Sequence, residues 1–140
     1  MIIVTTTSKP TETKTILVVD DDVDYLSQVE SRLRRAGFAV LTAESQHQAE
    51  EILATHKPDL AVVDLMLEHT DSGIFLSHHI KKKDPRIPVI LVTGVTAETG
   101  MELDAATAEE RSWVKADVLL DKPIRFEQLL REIERLLKGH

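Results

Sequence analysis

The chain has 140 residues, 42% of them apolar and 29% charged, with a formal net charge of −7. This is the composition of one globular domain long enough to bury a core, and its acidic balance argues against a surface drawn to nucleic acid or anionic membrane. No cysteine is present, which excludes a disulfide framework, a thiolate metal site and a cysteine nucleophile.

Residues 1–14 read as a loose leader: "MIIVTTTSKPTETK" is too short in its apolar part and too poor in basic residues for a secretory signal. No apolar run approaches the roughly 20 residues that cross a bilayer, so a cytoplasmic domain is expected. From residue 15 to 138 short β-rich runs alternate with helical patterns. "TILVVD" (15–20) is continuous, apolar and β-branched, the signature of a strand buried on both faces. Val23, Leu26, Val29 and Leu33 recur about once per helical turn, and Gly37 stands where a helix ends. "FAVLTA" (38–43) predicts a second strand. "HQAEEILATH" (47–56) predicts a helix with Ala49, Ile52 and Leu53 inward, stopped by Pro58. A third strand is expected over 60–67, a third helix over 72–83 and a fourth strand over 87–94. Thr99 with Glu102, and Thr107 with Glu110, fit the capping box, predicting two short helices or one broken one across 98–115. "DVLLD" (117–121) predicts a fifth strand. Phe126, Leu129, Leu130, Ile133, Leu136 and Leu137 form the apolar stripe of a last helix over 125–138.

Five buried strands separated by helices imply an α/β fold, a doubly wound parallel sheet with helices on both faces. Right-handed crossovers then favour the flavodoxin-like order 2-1-3-4-5. In such sheets a ligand site lies beyond the carboxyl ends of the strands. Four polar features fall there: the triplet Asp20-Asp21-Asp22 after strand 1, Asp64 after strand 3, Thr93 after strand 4 and Lys122 after strand 5. Singly, each has a plain alternative as a turn former, a β-favouring hydroxyl or a solvated cation. Jointly they compose a chemistry. Clustered carboxylates call for a cation, and an all-oxygen set suits Mg²⁺ (or Mn²⁺). A carboxylate flanked by a lysine and a hydroxyl can accept a phosphoryl group, a transfer that needs positioning and charge neutralisation above all.

"ILVVDDD", "AVVDLML", "ILVTG" and "DKP", in this order and spacing, resemble the receiver domain of two-component response regulators over about residues 15 to 138. The resemblance implies that Asp64 is the phosphoacceptor. It implies that Asp20, Asp21, Asp64 and the Met66 backbone carbonyl hold the metal. It also implies that the Thr93 hydroxyl and the Lys122 ammonium meet the phosphoryl group, with Pro123 after a cis bond and Gly94 leaving room. Asp22 has no role in that set and is read as the N-cap or first-turn acid of the first helix. A sensor histidine kinase or phosphotransfer protein would be the donor. A downstream protein would be engaged through the face of the helix-4 region, strand 5 and the last helix. No nucleic acid or membrane partner is implied, and a homodimer stays open. No output domain fits after residue 138, which leaves a stand-alone regulator or an excised receiver. Enzymatic activity would be confined to self-catalysed phosphotransfer and slow autodephosphorylation.

Three departures from the family pattern stand out. Glu68 takes a common proline position, and Gly73 comes nine rather than eight positions after Asp64. Leu119 replaces an aromatic that swings inward when the Thr93 loop moves. The interval from Thr93 to Lys122 is longer than usual and holds Trp113, the only tryptophan, read as core or as an interface anchor. Met66 and Val95 occupy the two positions that steer water in receivers, and neither can orient it, so a long-lived phosphoryl-aspartate is expected. Two other classes compete: a degenerate receiver serving only as an interaction module, and a Mg²⁺-dependent phosphohydrolase with an Asp nucleophile. The intact acid cluster with Lys122 disfavours the first, and the lack of room for a substrate cap disfavours the second. The six histidines are scattered without metal-site spacing, and Lys81-Lys82-Lys83 reads as the solvated cationic end of a helix.

Overall fold

A computed structural model describes residues 13–65, 72–93 and 116–138. The leader up to residue 12, Met66, Glu68, Gly94, Val95, the helices expected over 98–115 and Trp113 lie outside the described residues. The described elements are β1 (Thr15–Val19), α1 (Val23–Arg35), β2 (Ala39–Ala43), α2 (Gln46–Thr55), β3 (Leu60–Asp64), α3 (Ser72–Lys83), β4 (Val89–Thr93), β5 (Val118–Asp121) and α4 (Phe126–Lys138).

All strand pairs are parallel, and the sheet runs β2-β1-β3-β4-β5, the expected order. Alternation along each strand explains the unbroken apolar runs. Leu17, Val19, Ala61, Val63 and Leu91 face α2 and α3, where Ala49, Leu53, Leu76 and Ile80 meet them. Ile16, Val18, Val62, Ile90 and Val92 face α1 and α4, against Leu26, Leu33, Leu129 and Ile133. Both faces are covered, as a parallel sheet requires.

Local signals place the helix ends. Asp22 caps α1, its side chain accepting from the Tyr25 backbone N–H at 3.2 Å. Gly37 takes a φ of 100° just past the helix, a conformation few side chains tolerate. Ser45 caps α2 by accepting from the Gln48 N–H at 3.1 Å. Val23, the first residue of α1, is 54% exposed. Two details correct the sequence reading. The third strand ends at Asp64, short of residue 67. Lys81 is not simply solvated; its ammonium lies 2.7 Å from Asp117 Oδ2.

Two polar joints fasten the far end of the sheet from the acid triplet. Asp117, just ahead of β5, accepts from both the Val89 N–H (2.8 Å) and Lys81. Asp84, just past α3, accepts from the Arg86 backbone N–H at 3.0 Å and meets Lys57 Nζ at 2.5 Å. Hydrogen bonds from Lys57 and then Arg86 hold the Asp84 carboxyl well below its ordinary value of 3.8. A carboxyl more acidic when folded adds stability above the unfolded value and loses it as pH falls through the folded one. Asp84→Asn should therefore lower the urea midpoint at neutral pH, and the gap to the parent should close as the pH is taken below 3.8.

Candidate phosphoacceptor site

The carboxyl ends of β1 and β3 lie side by side, since Val19 pairs with Val63 in register. Asp20 and Asp64, each one step on, therefore emerge together and are nearly inaccessible, at 2% and 6% exposure. Asp21 is exposed beside them. One carboxylate oxygen from each of Asp20, Asp21 and Asp64 lies within 4.8 Å of the others. The backbone keeps Asp20 in place: its N–H donates to the Ala43 carbonyl at 3.1 Å, and its Oδ1 accepts from the Asp22 N–H at 2.9 Å.

Lys122 reaches in from the end of β5. Its backbone N–H donates to the Thr93 carbonyl at 2.8 Å, extending the β4–β5 ladder, and the Lys122–Pro123 peptide is cis. Its ammonium lies 3.2 Å from Asp64 Oδ2 and 3.5 Å from Asp20 Oδ2. Partial burial pulls this ammonium's pKa down, but the charges of Asp64 and then Asp20 outweigh it, so the net shift is upward and Lys122 is cationic at neutral pH. Thr93 ends β4 and is buried, at 2% exposure. The expected constellation of Asp20, Asp21, Asp64, Thr93 and Lys122 is thus gathered at one sheet edge. Met66, expected to add a backbone oxygen, lies outside the described residues.

The donor set suits a hard divalent cation. Three carboxylates against one ammonium leave a formal excess of two negative charges, and every candidate ligand atom is oxygen. Like charges held this close need such a counterion to be comfortable.

Two residues of the site were not picked out by motif. Tyr25, one helical turn past Asp21, puts its ring beneath Lys122, with Nζ 5.8 Å from the centroid. Gly73, flagged in the sequence only as displaced, donates its N–H to the Leu65 carbonyl at 3.1 Å. A Cβ there would lie 2.6 Å from Leu65 Cα and would collide with the Asp64 carbonyl oxygen. Gly73 therefore lies directly against the backbone of Asp64 and Leu65 at the end of β3. Gly73→Ala should destabilise the fold by about 1–3 kcal/mol, read from urea denaturation, because only backbone can yield to the added methyl. Leu119 points away from the buried Leu120 and is 38% exposed.

A doubly wound sheet in this order, with acidic side chains and a lysine at its carboxyl edge, defines a receiver-type signalling domain. Residues 16–134 match the family described as the response regulator receiver domain. The chain is 33% identical over 127 residues to the phosphate regulon transcriptional regulatory protein PhoB of Pseudomonas aeruginosa, covering 89% of this chain and 52% of that one. It is 32% identical over 123 residues to the transcriptional regulatory protein GlrR of Escherichia coli K12, covering 88% and 26%. Among solved structures it resembles a CheY-like receiver domain protein of Methanospirillum hungatei (TM-score 0.76, 26% identity, 91% and 96% covered). It also resembles the receiver domain of NtrX from Brucella abortus (TM-score 0.73, 29% identity, 89% and 99% covered). The chain belongs to the response regulator receiver family of two-component systems. It spans about half the length, or less, of the curated relatives it matches. Among the described residues no helix is long and apolar enough to cross a membrane.

Proposed function

We propose that residues 15–138, behind a leader at 1–14, form a cytoplasmic phosphoacceptor module that takes a phosphoryl group onto Asp64 from a phosphohistidine. The donor is a sensor histidine kinase or a phosphotransfer protein. The observation that carries this reading is the Lys122 ammonium 3.2 Å from Asp64 Oδ2, with oxygens of Asp20 and Asp21 gathered beside it.

Asp64 attacks phosphorus, the P–N bond breaks, and its electron pair returns to the imidazole, which takes up a proton. Lys122 pairs with the phosphoryl oxygens as they leave the histidine, and the Thr93 hydroxyl donates to one of them. Asp20, Asp21 and Asp64, with the Met66 carbonyl as the family resemblance implies, would hold a Mg²⁺ (or Mn²⁺) ion, which would supply charge neutralisation to the transferring group. The modified site then shifts the balance of two conformations around the Thr93 loop, the helix-4 region and β5. A downstream protein, or a second copy of the chain, reads that face; neither nucleic acid nor membrane is a direct partner.

Incubation with acetyl phosphate and Mg²⁺, followed by intact mass, tests the reading: one phosphoryl increment is expected. No increment would favour an interaction-only receiver, and repeated turnover of a small phosphate ester would favour a phosphohydrolase. Met66 and Val95 offer no group to orient water, so the adduct should decay slowly. Met66→Asn should hasten phosphate release roughly tenfold, about 1.4 kcal/mol at the barrier.

A further inference from the structure

Tyr25 stands in the first turn of α1, where its backbone N–H is tied to the Asp22 cap. Its side chain packs against the core between α1 and α4. The ring also walls a groove of about 190 Å³ shared with Gln28, Arg32, Ile124 and Phe126. The cap and the packing give the ring little freedom, and its face is turned to Lys122, 5.8 Å from the ammonium. Lys122 is different. Its side chain is 39% exposed on a flexible four-carbon stem, and its described carboxylate contacts, Asp64 and Asp20, belong to the site that changes during the reaction. Once Asp64 carries a phosphoryl group it is an acyl phosphate, and its negative charge has moved outward onto the phosphoryl oxygens. The quadrupole of a neighbouring aromatic face does not change at that step.

We infer, on the reading that Asp64 is the acceptor, that Tyr25 is a positioning residue. Its ring face holds the Lys122 ammonium at the carboxyl edge of the sheet through the change in charge at Asp64. The phenol stays neutral in this setting, because burial first and the Asp20 charge second raise its pKa above 10.0, with Lys122 opposing. The hydroxyl is therefore not a competing anion, and the ring face is the part that matters. A wall of the groove needs only bulk, whereas holding an ammonium needs a π face. Leucine supplies the first without the second, and phenylalanine supplies both.

The test uses acetyl phosphate with Mg²⁺ on the full chain, so that docking of a protein donor plays no part. Tyr25→Phe should phosphorylate within about twofold of the parent, and Tyr25→Leu about three- to tenfold more slowly at saturating donor. The second readout is the NMR position of the Lys122 ε-methylene, measured without donor. It should be shifted upfield by the ring in the parent and Tyr25→Phe, and unshifted in Tyr25→Leu. The inference is overturned if Tyr25→Leu matches the parent in either readout, or if Tyr25→Phe falls as far as Tyr25→Leu. A parent chain that gains no phosphoryl mass at all sinks the acceptor reading instead, whatever the methylene signal shows.

Discussion

Asp64→Asn is expected to gain no phosphoryl mass under conditions where the parent chain is modified to completion. The substitution keeps the shape of the side chain and one carbonyl oxygen, but the amide is not a nucleophile for phosphorus and nothing else in the cluster is placed to replace it. Asp20 has one oxygen committed to the Asp22 N–H and the other facing Lys122, 3.5 Å away. Asp21 is exposed at the edge. A modified Asp64→Asn chain would mean that another carboxylate accepts the group, and tandem mass spectrometry would show which. Lys122→Ala makes the companion measurement. It leaves the nucleophile and the carboxylates in place while removing the cation 3.2 Å from Asp64, and should slow uptake by roughly 10²–10³-fold, the cost of losing one preorganised donor to developing negative charge. A residual slow rate in Lys122→Ala beside none in Asp64→Asn is the pattern that separates a stabilising cation from the atom that forms the bond.

The second expectation turns on a conflict between stability and chemistry. Oxygens of three carboxylates lie within 4.8 Å of one another, a repulsion that serves ion binding and works against folding. Asp21→Asn should raise stability in metal-free buffer, by about 0.5–2 kcal/mol, because Asp21 pairs with no cation among the described residues and an amide there removes one like charge. With Mg²⁺ present the order should reverse. An ion at a hundred times its dissociation constant stabilises the chain that binds it by about 2.7 kcal/mol, and the variant should forgo most of this. Urea denaturation of both chains with and without Mg²⁺ reads the crossing directly. Parallel curves under both conditions would show that the cluster holds no divalent ion.

Much of this was legible before any coordinates, for identifiable reasons. Strands buried on both faces cannot alternate, so "TILVV", "LAVVD" and "VILVT" announce themselves as continuous apolar runs, and the winding rules leave few ways to order them. Once the order is set, Asp20, Asp64, Thr93 and Lys122 fall at one edge, because Asp64 and Thr93 end their strands and Asp20 and Lys122 come one step past theirs. Tyr25 was not legible in this way. A tyrosine one turn into an amphipathic helix looks like any half-buried core residue, and its closeness to Lys122 depends on how α1 sits against the end of β5. Gly73 was seen as an irregularity in spacing, yet its reason is a backbone approach to Asp64 that no one-dimensional pattern carries.

Asp117 anchors the entry to β5 by joining the β4 backbone and α3 at once, while the exit of the same strand carries Lys122. The strand is thus clamped at its tail and loaded at its tip. A pull on the ammonium at the tip would be resisted lengthwise by the clamp and by the β4 ladder. On the proposed function, a new bond at Asp64 would therefore displace this margin of the sheet least at the clamp and most beyond the tip, as a lever turns about its fixed end.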